Sequence, residues 1–371
     1  MTINRISFFP VGNGDTTLIE ADSKTIITDV HYRNDADDDE EPEYDFSSDI
    51  QEACFKSKRK YCLSLFVLTH PDKDHLGGFP KLFYCGDPAK YADRTVKDDK
   101  LILIEEIWIS PYAAKPNPEN ETEASKPVLK EIQRRLNLKE NQEVDGNRIR
   151  ILEAKDSTIM IKKFSSNIEG HLLAPTKTES EVPKADPKEA PNSTNDTSLV
   201  IRWSINVDGG LNNILLGGDA TVEIWDRIWK SHKRNTDNLS WHILLTPHHC
   251  SQGAIARKND EDKYDYSDDA LSALGVVNGD GFIVASSKQI KRNDDNPPSW
   301  EAKQKYLGIL KNNNAKNYES RFLNPDTHKD DKPEPVVFDL TKSGPSLKVA
   351  GTGNTSKGLI GAGASIAPTY G

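Results

Sequence analysis

Apolar residues fall in short runs along the chain, and the period within each run predicts the element it forms. Residues 3–9 (INRISFF) and 17–30 (TLIEADSKTIITDV) alternate and are rich in β-branched side chains, so they read as a β-meander with a joint near Asp22-Ser23. The loop PVGNGDT lies between them. Residues 63–69 (LSLFVLT) and 101–110 (LILIEEIWIS) are continuous apolar runs of strand length, the pattern of strands buried on both faces. In 126–138 the apolar positions 128, 129, 132 and 136 follow helical spacing. Further along, 198–205 and 212–219 predict a strand pair turned at Asp208-Gly209-Gly210. A helix over 220–232, strands over 242–247 and 281–287, a helix over 299–313 and a closing strand over 335–341 complete the pattern.

Between these runs the composition changes. Residues 34–49 carry nine Asp and Glu and almost no apolar side chains, which predicts a solvated loop. Residues 111–125 and 176–196, rich in Pro, Asn, Lys and Glu, read as insertions, and the Gly, Ala, Ser and Thr of 346–371 as a flexible tail. The expectation is one domain over 1–345 with three insertions, followed by the tail, in the α/β class. Lys56-Ser57-Lys58-Arg59-Lys60 reads as a solvated face, and Trp225 and Trp229, at helical spacing, as core anchors.

Charge and cysteine content narrow the classes. With 48 Lys plus Arg against 58 Asp plus Glu the net charge is -10, which argues against a sequence-independent polyanion binder unless bound cations reverse the sign locally. The four cysteines, Cys54, Cys62, Cys85 and Cys250, form no CxxC pair and are expected to be reduced thiols. No run approaches the roughly 18 apolar residues of a membrane span, and the first residues lack a secretory pattern, so a soluble, cytoplasmic protein without a membrane partner is expected.

The most informative segment is His70-Pro71-Asp72-Lys73-Asp74-His75, with four residues able to bind a metal in six positions, directly after a buried strand. Imidazole and carboxylate together suit Zn, Mn or Fe, and side chains this close can face two metals. Acidic or imidazole residues recur at four other predicted strand ends: Asp29, Asp196, Asp219 and His248-His249. Placing ligands at strand ends is how a rigid sheet holds a site.

At this point the sequence resembles the metallo-β-lactamase superfamily, and within it the ComEC-like branch, over most of residues 1–340. PVGNGDTTLIE is similar to that branch's opening loop, IITDVH to its first motif, THPDKDHLGG to its HxDxDH loop, NDTSLVIRW to its third segment, LLGGD to its bridging aspartate and LLTPHHCSQ to its PHHGS turn. The resemblance implies an αβ/βα sandwich of two mixed β-sheets with outer helices. It implies two divalent metal ions, Zn or Mn, with His70 and Asp72 on the first, Asp74 and His75 on the second, Asp219 bridging and His248 completing the second. Asp29 would support the loop without binding metal. Asn195-Asp196-Thr197-Ser198 stands where many members place a third-motif histidine. Asp196 is therefore counted among the metal candidates, with the first site expected to be weaker or completed by water.

The implied activity is a metal-dependent hydrolase, a phosphodiesterase or nuclease acting on nucleic acid through a dinuclear metal-activated water. Asp74 would orient that water, Asp219 would bridge, and His249 or Lys288 would neutralise the phosphate. Hydrolysis of a small cyclic or linear nucleotide is the alternative enzyme, and a degenerate binding or regulatory subunit the alternative of another class. By analogy such modules also act as accessory or effector subunits of bacterial multi-gene defence systems, with a protein partner engaging the tail or the acidic loop. The branch usually has a His-Pro step where this chain has Asn296-Pro297-Pro298, which leaves Lys288 and Arg292 as candidate phosphate contacts or as solvated surface cations. His249 is read as a supporting partner or a substrate-facing base, His31 as structural or pocket-lining, and His171 as a packing or edge residue.

Overall fold

The structure, a computed structural model, describes residues 3–33, 44–56, 60–91, 101–115, 122–155, 160–180, 194–292, 296–328 and 332–348. The acidic stretch 34–43, positions 57–59 of the charge run, the insertion cores 116–121 and 181–193 and the tail from 349 lie outside them.

Two mixed sheets form the framework. In the first the strand order is Gly344–Leu347, Val336–Thr341, Arg5–Phe8, Thr17–Ala21, Lys24–Thr28, Leu65–Leu68, Glu106–Ile109, Arg148–Ile151. Pairing is antiparallel as far as Lys24–Thr28 and parallel from there on. The second sheet runs Met160–Lys163, Ile168–Ala174, Val200–Val207, Gly210–Leu216, Trp241–Leu245, Val277–Val284, Phe322–Leu323. It too begins antiparallel and becomes parallel after Gly210–Leu216.

The period of two along each strand explains the layering. Leu65 and Val67 face a core between the sheets, with Ile6, Ile19, Ile201, Ile214 and Ile243, while Phe66 and Leu68 face a second core under the helices. Trp108 of one sheet stacks on Trp203 of the other, ring centroids 5.7 Å apart and 14° from parallel. Helices Ser47–Cys54 and Lys126–Leu136 cover the outer face of the first sheet. Helices Val222–His232, Asp268–Leu274 and Trp300–Asn312 cover that of the second, where Trp225 is fully buried and Trp229 packs beside it. The architecture is therefore the expected αβ/βα sandwich.

Residues 17–30 form two strands turned at Asp22 and Ser23, the expected joint, both with positive φ. Two expectations change at their edges. The span 34–49 does not end as a loop: Phe46 is buried against Phe9 and Tyr32, and a helix starts at Ser47, because one aromatic anchor offsets the ordering cost the neighbouring acidic residues cannot. Ser346 and Leu347 pair with Asp339 and Phe338, so the last hairpin extends two residues past the expected domain end at 345. Among the described residues no helix is long and apolar enough to cross a membrane.

Candidate metal centre

Parallel pairing brings the C-terminal ends of several strands to one edge of each sheet. Asp29 follows Lys24–Thr28, His70 follows Leu65–Leu68, Asp219 follows Gly210–Leu216 and the two histidines follow Trp241–Leu245. The two edges are tied directly, Leu199 N donating to Thr69 O at 3.0 Å, and within the second sheet Asp219 N donates to Ser198 Oγ at 3.2 Å.

Asp219 lies at the centre, 3% exposed, and its two oxygens face different groups. Oδ2 is 3.8 Å from His70 Nε2 and 3.6 Å from His248 Nε2, and His70 Nε2 is 3.6 Å from Asp72 Oδ2. Oδ1 is 3.1 Å from His75 Nε2 and 3.4 Å from His249 Nε2, and His249 Nε2 is 3.2 Å from Asp74 Oδ2. Asp15 adds a buried carboxylate, 3.5 Å from His249 Nδ1. One ligand atom from each of Asp15, His75, Asp219 and His249 lies within 4.8 Å of the others, the spacing of a group that can hold a metal ion.

The imidazoles are oriented from behind. His75 Nδ1 is 2.8 Å from Asp29 Oδ2, and Asp29 also accepts from Thr69 N at 2.8 Å and Thr69 Oγ1 at 2.6 Å. With its hydroxyl proton given to Asp29, Thr69 Oγ1 is left to accept from His70 Nδ1, 3.1 Å away. His249 Nδ1 is 3.2 Å from the Ser286 carbonyl. Each of these three rings has an acceptor at Nδ1, which turns Nε2 toward Asp219, where a metal ion would take the place of a proton. Burial opposes charge here, but it is outweighed. The carboxylates of Asp219 and Asp29 hold His75 well above the ordinary imidazole range, and Asp219, Asp15 and Asp74 do so for His249. Burial of Asp219 is likewise outweighed, and His249 and His75 keep it well below the carboxylate range. His70 Nε2, His75 Nε2, Asp219 Oδ1 and Asp15 Oδ1 are all buried without a hydrogen-bond partner, so even the 3.1 Å approach of His75 to Asp219 lacks hydrogen-bonding geometry. Converging, partnerless imidazole and carboxylate atoms are the donor set of a divalent transition-metal site.

His70, Asp72, Asp74, His75, Asp219 and His248 come together as the sequence suggests, with one exchange in the last motif. His249, not His248, stands beside Asp74 and His75. His248 and His249 both have left-handed backbone, φ 49 and 51, and their ring planes stand 77° apart, so the two side chains reach opposite sides of Asp219. Asp196 is not in either set: its Oδ1 accepts from Thr221 at 2.5 Å, and it is Thr194 that bonds Asp72 Oδ2, at 2.7 Å. Arg292 lies over the Trp300 ring at 5.0 Å, and Asn296 bonds Gln252 N and Tyr264 OH. Lys288 is exposed, with its backbone N donating to Asn13 Oδ1 at 3.1 Å. His171 pairs with Arg202 Nη2 at 3.0 Å on the outer face of the second sheet. Asp15 was not anticipated as a site residue, although the VGNGD loop that carries it was; an acidic residue after two glycines was the available signal.

No protein-family model matches the sequence, and no curated protein does. Among solved structures the chain is similar to an isothiocyanate hydrolase from Delia radicum gut bacteria, at 12% identity and TM-score 0.39 over 86% of this chain and 95% of that one. A metallo hydrolase from the archaeon Ignicoccus hospitalis gives 11% and 0.40 over 91% and 100%. A subclass B3 metallo-β-lactamase of Bradyrhizobium japonicum gives 12% and 0.33 over 74% and 89%.

Proposed function

We propose that the chain is a metal-dependent hydrolase of the metallo-β-lactamase superfamily, of its ComEC-like branch, that cleaves phosphodiester bonds in nucleic acid. The observation that carries the reading is the division of Asp219: one oxygen toward His70 and His248, the other toward His75 and His249. Two divalent ions, zinc or manganese, fit this arrangement, one held by His70, Asp72 and His248, the other by His75, Asp74 and His249 with Asp15 adjacent, and Asp219 shared. Such ions would bring the pKa of a water toward neutrality and offset the charge on entering and leaving oxygens.

The chain's own residues supply the rest. Asp29, Thr69 and the Ser286 carbonyl hold the Nδ1 protons of His75, His70 and His249, so each ring presents a lone pair. The Asp74 side chain is part exposed and is placed to orient the attacking water by accepting a hydrogen bond from it; the water oxygen bonds to phosphorus, the P–O ester bond breaks and the proton the water gives up ends on the leaving oxygen. Lys288, anchored through its backbone to Asn13 and Asn324, offers an ammonium at the rim to the phosphate.

Metal analysis of the purified chain, followed by incubation with labelled single- and double-stranded DNA in Mn or Zn, tests the reading. Two metal equivalents per chain and cleaved DNA are expected, with β-lactam turnover undetectable. The net charge of -10 favours one second reading, hydrolysis of a small cyclic nucleotide. Rapid cleavage of a cyclic dinucleotide with inert DNA would put it first.

A further inference from the structure

His31 stands beside the metal centre without belonging to either set. Its backbone N donates to Thr16 Oγ1 at 2.8 Å, and its ring passes between two glycines of the motif loops. A Cβ at Gly14 would lie 2.2 Å from Nδ1 and one at Gly77 2.9 Å from Cδ2, so both positions must lack a side chain for the ring to fit. Nδ1 and Cδ2 are the two flanks of an imidazole. With both covered, the edge left to meet solvent is Cε1–Nε2, and the residue is indeed part exposed.

The covered flank decides which nitrogen carries hydrogen. Nδ1 is buried with no hydrogen-bond partner. A proton there would be a donor without an acceptor, whereas a bare lone pair in the same place costs less, so the neutral ring carries its hydrogen on Nε2. The protonated ring carries one there as well. In either state His31 presents an N–H at the mouth of the site, close enough to Asp74, His75 and His249 for their charges to act on it. No acceptor on the chain is bonded to that N–H among the described residues. What it lacks is an oxygen from outside. A phosphoryl group, whose non-bridging oxygens only accept, matches both this donor and the ammonium of Lys288.

We propose that His31 is a substrate-contact residue whose Nε2–H donates to a non-bridging phosphoryl oxygen of the substrate at the metal centre. The proposal rests on the phosphodiester reading above.

The test uses the full, metal-loaded chain and inorganic phosphate as the probe, with calorimetric Kd and metal content measured on each variant. His31→Phe keeps the ring in its slot, removes the unpartnered nitrogen and removes the donor. It should melt at or above the wild-type temperature yet bind phosphate about ten- to a hundredfold more weakly. His31→Gln restores a donor near the Nε2 position and should recover part of the loss. If the Phe variant does not fold, His31→Leu serves as the donor-free form. Long-range 1H–15N spectra, with the His31 ring assigned by its loss in the Gln variant, should show hydrogen on Nε2 and a shift on adding phosphate. Wild-type phosphate affinity in the donor-free variant at normal metal content, or hydrogen on Nδ1, overturns the proposal. A wild-type chain that takes up no metal is a different failure, that of the underlying metal reading, and the spectra still decide the His31 tautomer.

Discussion

His249 Nε2 lies 3.2 Å from Asp74 Oδ2, although 175 residues separate the two in the chain. This contact assigns the second histidine of the PHHC turn to the His75 side of Asp219 and leaves the first for the His70 side. Double-mutant cycles on metal affinity read the assignment. His249→Ala and Asp74→Ala should be coupled by about 0.5–3 kcal/mol, while His248→Ala and Asp74→Ala should be additive within about 0.5 kcal/mol. The reverse pattern would return His248 to the second set.

Asp219→Ala removes the oxygens that both sets share. Occupancy of the paired site and hydrolysis should both be lost, with far-UV dichroism showing intact sheets, because the residue contributes to no hydrophobic core. Full activity in this variant would sink the bridging assignment.

Asp29 contributes orientation alone. Asp29→Asn keeps the size of the side chain but weakens its hold on His75 Nδ1, and metal affinity should fall about 10–100-fold. The comparison is a chelator competition on wild type and variant.

His171 provides a pH dependence remote from the metals. Burial, aided by the adjacent Arg202, pushes its pKa down to about 4. The folded state therefore favours the neutral ring. Above pH 6.5, the ordinary imidazole value, the group costs nothing; as pH falls from 6.5 toward 4 the unfolded chain takes up a proton the folded chain refuses, and stability is lost. Urea midpoints measured across that window should drop more in wild type than in His171→Gln. Parallel curves would refute the assignment.

Trp203 anchors the inter-sheet core through its stack on Trp108. Trp203→Ala should cost about 3–5 kcal/mol in chemical denaturation. The fraction still folded should keep its full metal content, since the ring touches no ligand.

Much of this protein is written locally. The continuous run at 63–69 specified a strand buried on both faces, and the structure shows Val67 in one core and Phe66 in the other. The polar cluster that follows it, HPDKDH, named most of the site because side chains within six consecutive positions of one loop cannot be far apart in space. The Asp208-Gly209 turn and the helices over 126–136 and 222–232 were equally legible, since period and turn chemistry are properties of neighbouring residues. What no local pattern contained is which histidine of an adjacent pair faces which oxygen of Asp219. That depends on left-handed backbone at His248 and His249 and on the depth at which one sheet edge meets the other. For the same reason Asp15 entered the site only with the fold: its loop reaches the metal centre because Arg5–Phe8 runs in the same direction as Lys24–Thr28 within the sheet, so both strands end at one edge. Nor did any local pattern contain the contact of Asp196 Oδ1 with Thr221, 25 residues away. Ligand types are a matter of sequence; ligand partnership is a matter of how the sheets twist and dock, a sum over distant contacts.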